Sequence, residues 1–306
     1  WTGVVRGEQS YVIRTFGIGS DFDRLRETTD EIVSTFTFLP PDPTEAALDD
    51  VFVLLGEEPD SLDPALYSGP TDGPVSAIFG GLVTLDQNLN VVPDVAESWL
   101  ITDGGTVYTF KIRLNAFFHS GDWVTAPDVK HSWERATDPA IGSPTASTYL
   151  GDVVGVAAKL AGQAEEISGV EVMDLFTLRV TIESPQQSFL QKLTHPVASV
   201  VDRNNVEASD LAERPTGTGP YKFVAWGKGQ ELVLRRNRFY HRQRSTMLGV
   251  VYRFGKEPLA LYNSGQIDVM PVPLTYIDQS LDPRSSLNLD LVSGPTFCTH
   301  YLAFDT

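Results

Sequence analysis

Apolar and polar positions alternate most clearly through Tyr108, Phe110, Ile112 and Leu114, with Thr109, Lys111 and Arg113 between them. A period of two is that of a strand with one buried face. Ahead of it lie the apolar run Trp99, Leu100 and Ile101 and then Asp103-Gly104-Gly105, a turn signal because glycine takes positive φ without steric cost. Together these predict a β-hairpin. Gly121-Asp122 predicts a further turn. Thr125, followed three residues later by Asp128, has the spacing of a capping box with Asp in the usual place of Glu. Val129, Ser132, Trp133 and Ala136 then recur on one helical face, and Asp138-Pro139 predicts the helix end.

The same patterning continues down the chain. Residues 138–167 read as loop and a polar helix. Phe176, Leu178, Val180 and Ile182 alternate within a second hairpin over 170–182. Ser184-Pro185 precedes a helix carrying Phe189, Leu190 and Leu193. Residues 50–55, 231–236 and 250–254 read as strands. Gly265 suits a helix C′ position, after which 267–270 resumes a strand. Thr216-Gly217-Thr218-Gly219-Pro220 is not a P-loop, since no Lys-Ser/Thr follows and it leads into a strand. Its glycines are expected to allow tight backbone approach and positive φ.

Residues 1–45 are of a different kind. Residues 10–16 predict a strand. Asp21 opens a helix through Phe22, Leu25, Thr29, Ile32 and Val33, and Pro40-Pro41-Asp42-Pro43 predicts a stiff linker. One strand and one helix cannot bury their own apolar face, so this segment reads as the tail of a preceding domain. The alternative is that it packs onto the body that follows.

Charge excludes some partners. Forty acidic residues against 23 basic ones give the 306-residue chain a net charge of −17. A nucleic-acid partner requires a basic stripe. The basic cluster Arg235, Arg236 and Arg238, with Arg242 and Arg244, reads as a solvated sheet edge instead. No run of 18 apolar residues predicts a membrane span, and no signal peptide opens the sequence. The single cysteine, Cys298, excludes an intrachain disulfide and reads as a buried thiol. His119, His131, His195, His241 and His300 form no short metal-ligand spacing, so neither a metal site nor a cofactor is expected. Glu57-Glu58 and Asp60 with Asp63 offer adjacent carboxylates for acid–base chemistry, a hydrolase reading; outside an apolar setting they read as solvated loop charges.

Several segments occur in a telling order. They are Glu58-Pro59-Asp60-Ser61-Leu62-Asp63-Pro64, Ala96-Glu97-Ser98-Trp99, Thr125-Ala126-Pro127-Asp128-Val129, Gly217-Thr218-Gly219-Pro220-Tyr221, Asn237 with Tyr240, Ser264-Gly265-Gln266-Ile267-Asp268 and Tyr301-Leu302-Ala303-Phe304-Asp305-Thr306. In that order they resemble the family 5 extracellular solute-binding proteins, the peptide-, dipeptide- and nickel-binding receptors of ABC importers. The resemblance spans residues 51–306 and breaks off before family members end. Ser34-Thr35-Phe36-Thr37-Phe38 faintly resembles the close of PsbP-like domains.

The resemblance implies a periplasmic-binding-protein-like bilobal α/β fold with mixed sheets: a tail over 1–45, a first lobe over 46–249 and the start of an incomplete second lobe over 250–306. It implies a non-enzymatic receptor outside the membrane or in the periplasm, anchored only through a segment outside this sequence, that holds an oligopeptide or dipeptide between lobes and delivers it to ABC permease subunits. Alternatives within the fold are a nickel-chelate or oligosaccharide receptor and a sensor ectodomain without transport. Tyr67-Ser68-Gly69 aligns with a ligand-contacting segment, and Tyr149 with an aromatic wall position.

Overall fold

The computed structural model describes residues 2–6, 9–13, 51–69, 73–207, 211–255, 257–272, 274–289 and 291–292. The chain divides into two compact units, Trp1–Leu48 and Asp49–Thr306. In the first, β1 (Thr2–Arg6) and β2 (Gln9–Ile13) pair antiparallel as a hairpin. The helix expected after Asp21 and the proline linker lie outside the described residues, as do Cys298 and His300.

The second unit begins with β3 (Val51–Gly56), the short helix α1 (Pro74–Ile78) and the small hairpin of β4 (Val83–Leu85) and β5 (Val91–Pro93). Then come β6 (Ala96–Thr102), β7 (Val107–Ile112) and the helices α2 (Ala126–Ala136), α3 (Ala146–Leu150) and α4 (Val156–Leu160). They are followed by β8 (Val170–Asp174), β9 (Thr177–Thr181), α5 (Phe189–Lys192) and α6 (Arg203–Glu207). The strands β10 (Tyr221–Gly227), β11 (Glu231–Arg236) and β12 (Gly249–Phe254) precede α7 (Pro258–Asn263).

Two four-stranded sheets carry the unit, each with its own core. The antiparallel sheet β6-β7-β9-β8 contributes Tyr108, Phe110, Ile112, Leu178 and Val180 to the larger core. The β6–β7 turn takes positive φ at Asp103, Gly104 and Gly105 in succession, the conformation the Asp-Gly-Gly triplet favours. α2 starts as its capping box requires: the Thr125 N–H donates to the Asp128 carboxylate at 2.9 Å. Its buried face of Val129, Ser132, Trp133 and Ala136 packs into that core, and Trp133 Nε1 donates to the Ala198 carbonyl at 3.0 Å. Burying an apolar side chain of the size of Val129 or larger contributes roughly 1.5–3 kcal/mol.

The second sheet has the order β10-β11-β12-β3, antiparallel except that β12 runs parallel to β3 with Gly249 opposite Val51. Leu232, Leu234, Val250 and Tyr252 join Leu62, Tyr67, Val75, Ile78 and Phe79 in the smaller core. The boundary expected between residues 249 and 250 falls inside this sheet.

Several local expectations are corrected. Leu114 does not continue β7; it is 67% exposed. The Arg113 N–H donates to the Val95 carbonyl at 2.9 Å, which turns the chain out of the sheet. β11 is not an edge strand, because β10 and β12 flank it; only Arg235 of its arginines is fully exposed. Residues 267–270 make one parallel bridge, Val269 to Leu54, rather than a strand. Gly217 and Gly219 have no positive φ. They are required by close approach alone: a Cβ on Gly217 would sit 2.1 Å from the Ile78 carbonyl oxygen, and one on Gly219 2.5 Å from that of Ala77. No helix among the described residues is long and apolar enough to cross a membrane.

Candidate functional site

A cleft of about 680 Å³ opens beside the end of β3. Its walls are Leu54, Leu55 and Gly56, the loop Glu57 to Ser61, the stretch Leu66 to Gly69, and Gly73-Pro74 at the start of α1. Tyr252 of β12, Val269 and Pro271 complete it. The parallel pairing of β3 with β12 places Tyr252 opposite Leu54, and so brings an aromatic ring from late in the chain to a loop near its start.

The loop is held by three anchors. Leu62 is fully buried, and its N–H donates to the Ala212 carbonyl at 3.2 Å. Asp63, 3% exposed, accepts from the Ala65 N–H at 2.9 Å and forms a forked ion pair with Arg135 of α2. Glu58 accepts from Trp226 Nε1 at 3.1 Å and from the Gly229 N–H at 2.9 Å, which fastens the loop to the β10–β11 hairpin. Lys228 Nζ caps the same Trp226 ring at 3.1 Å from its centre. Asp63 is therefore a buried structural acceptor rather than a solvated charge, while Glu57, Glu58 and Asp60 are exposed, as expected.

Of the residues expected to touch a ligand, Tyr67, Ser68 and Gly69 all line the cleft. Tyr67 is 5% exposed and belongs to the smaller core, so it offers an edge to the cleft while its body supports the wall. Gly69 is needed beside it: a Cβ there would lie 2.6 Å from the Tyr67 hydroxyl. Tyr149 stands apart. It packs against the larger core with its ring stacked on His195, centroids 3.7 Å apart and planes within 12°. Tyr252, Leu66, Val269 and Pro271 were not legible as cleft residues. Residues 250–254 read as a strand, but nothing in them points to the parallel neighbour.

Several buried polar groups lie outside the cleft lining. His119 Nδ1 accepts from the Gly217 N–H at 3.2 Å and Nε2 faces the Gly219 carbonyl at 3.0 Å, so the neutral Nε2–H tautomer satisfies both. Burial lowers the His119 pKa to about 4, and nearby Lys222 pushes the same way. Burial also brings His195 to about 4; its Nδ1 accepts from the Val197 N–H at 3.2 Å. Asp94, 3% exposed, receives His241 Nε2 at 2.9 Å and the Tyr240 hydroxyl at 3.2 Å. Burial, with the Asp94 charge adding to it, pushes the Tyr240 phenol well above its ordinary value. None of Asp94, Tyr240 or His241 reaches the cleft wall. Among the described residues no group of three or more His, Cys, Asp and Glu side chains is arranged to hold a metal ion.

Residues 90–306 match the model of the bacterial extracellular solute-binding proteins, family 5 Middle. The periplasmic oligopeptide-binding protein OppA of Salmonella typhimurium is 32% identical over 262 residues, 80% of this chain and 47% of that protein. The dipeptide-binding protein DppE of Bacillus subtilis is 30% identical over 236 residues, 74% of this chain and 43% of that protein. The structure of Haemophilus influenzae OppA in complex with RPPGFSPFR superposes with a TM-score of 0.70 at 26% identity, covering 76% of this chain and 48% of that one. The chain spans about half the length of these relatives.

Proposed function

The chain belongs to the family 5 bacterial extracellular solute-binding proteins, and from that premise we propose that it forms one wall of a receptor that captures short peptides for an ABC importer. The cleft beside β3 carries this reading. It is pre-formed, it mixes aromatic and polar lining, and its size suits a few peptide residues. The related OppA proteins are oligopeptide-binding, and one was solved around a nine-residue peptide. The mechanism is capture without chemistry: backbone and side-chain polar groups replace water around the guest, and a facing lobe closes over it. Tyr67, Ser68 and Gly69 are the contact residues from this wall, with Tyr252 opposite. The receptor works on the outer side of the membrane and hands its guest to permease subunits; catalysis plays no part.

An NMR titration with di- to pentapeptides, nickel–histidine and maltooligosaccharides tests the assignment. Peptide-dependent shifts confined to the segments 54–74, 252 and 269–271 support it. Shifts produced by the sugar or the nickel complex, with none from peptides, refute it.

A further inference from the structure

We propose that the connection between β11 and β12 is a tip that rests on an anionic lipid surface and orients the protein there. From Arg235 to Met247 the sequence contains Arg235, Arg236, Arg238, Arg242 and Arg244 and no Asp or Glu, in a chain whose net charge is −17. The fold gathers this stretch at one end of the second sheet, since Arg235 pairs with Gly249 across β11 and β12. Buried Asn237 accepts from the Phe239 N–H at 3.0 Å and donates from Nδ2 to the Gly219 carbonyl at 3.0 Å. That anchor turns Phe239 outward, 72% exposed. On the returning limb, Ser245 accepts from Arg236 Nη1 at 3.1 Å through its carbonyl and from the Tyr221 hydroxyl at 2.7 Å through Oγ, and Met247 beyond it is 41% exposed.

The arginines divide by duty. Arg236 is spent on the loop itself, and Arg242 Nη1 lies 3.9 Å from buried Asp94. Arg235 and Arg244 are exposed and enter no ion pair among the described residues. The tip thus presents two free cations beside an aromatic and a thioether side chain. Cations at the headgroups with an aromatic ring at the acyl boundary is the arrangement that holds a segment in a membrane interface. The acidic remainder does not cancel it, because charges more than about 8 Å away are screened at physiological salt. A folded protein partner would need a socket sealed around the ring. The exposed residues on the returning limb near Arg244, Gln243 and Thr246, are instead polar, and lipid conforms to a lone ring without such a seal. The proposal is independent of what the cleft binds.

Flotation with phosphatidylcholine vesicles, with the same vesicles containing phosphatidylglycerol, and a parallel titration with polyglutamate test it. The expected result is flotation only with phosphatidylglycerol, weakened by salt. Arg235→Glu with Arg244→Glu should lower partitioning about tenfold or more, and Phe239→Ser should lower it further, with unchanged melting temperatures. Absence of flotation on the anionic vesicles overturns the proposal, as does flotation indifferent to these substitutions. Arginine-dependent binding of polyglutamate without vesicle binding also overturns it, in favour of an acidic protein partner.

Discussion

The carboxylate of Asp63 and the guanidinium of Arg135 form a buried forked pair across 72 residues of sequence. One belongs to the smaller core's loop and the other to the last turn of α2 in the larger core. The pair sets where the loop lies, and through the loop it sets one side of the cleft. Asp63 itself is not part of the cleft lining, so this residue of the most telling motif shapes the cleft through the loop alone.

Arg135→Met leaves the Asp63 carboxylate buried without its partner. Breaking one half of such a pair costs about 3–5 kcal/mol. Urea unfolding at neutral pH should show a loss of unfolding free energy of that size, seen as a lower midpoint at unchanged slope. A loss below about 1 kcal/mol would mean that water already reaches the carboxylate.

The glycines of the 216–220 segment separate steric demand from conformational freedom. Gly217→Ala drives a Cβ into the Ile78 carbonyl, a clash with rigid backbone on both sides. It should destabilise by more than about 3 kcal/mol or abolish folding. Gly229→Ala, at φ +70 with nothing within 4 Å, should cost only about 1 kcal/mol. Equal losses in paired urea melts would show that the backbone around Gly217 yields to the added methyl at little cost.

Two histidines make stability depend on acid. His119 and His195 titrate near 4 in the folded chain, against about 6.5 when unfolded. Depressed folded values mean that the unfolded state binds protons first as pH falls. The stabilisation from neutral imidazole is complete above pH 6.5 and is lost as pH drops from there towards 4, with a slope of up to about 1.4 kcal/mol per pH unit for each ring. Melting temperatures of the parent and of His119→Gln should converge on acidification. Parallel curves across that window would exclude His119 as a contributor.

Much of the fold is readable because its signals are local. Thr125 and Asp128 sit one turn apart, and the cap they predict is the cap that forms. The Asp-Gly-Gly turn and the alternation from Tyr108 to Ile112 likewise concern neighbours. What escaped the sequence depends on distant partners. Arg235 and Arg236 read as an edge because nothing near them reveals that β12 covers one side of β11 and β10 the other. Asp63 read as solvated because Arg135 is far away in sequence. Tyr252 reached the cleft unannounced through a parallel pairing with β3. Tyr67, Ser68 and Gly69 were placed by resemblance rather than by their own chemistry. Tyr149, read in the same way, has its ring stacked on His195.

Gly69→Val tests the cleft wall through Tyr67, whose ring belongs to the smaller core. Its side chain displaces the Tyr67 hydroxyl, which lies 2.6 Å from the Cβ position. Overpacking against a core ring should lower stability by about 1–3 kcal/mol, while peptide-dependent NMR shifts at Ser68 and Tyr252 disappear from the folded variant. Retained shifts would place the guest elsewhere.

The most direct test of the central claim is photo-crosslinking with a short benzophenone-bearing peptide, the adducts being mapped by mass spectrometry with unlabelled peptide as competitor. Competed adducts on the stretch from Leu54 to Pro74, and on Tyr252 or Pro271, are the predicted result. Competed adducts around Tyr149 and His195, or labelling that unlabelled peptide does not suppress, would contradict the assignment of this cleft as the peptide's seat.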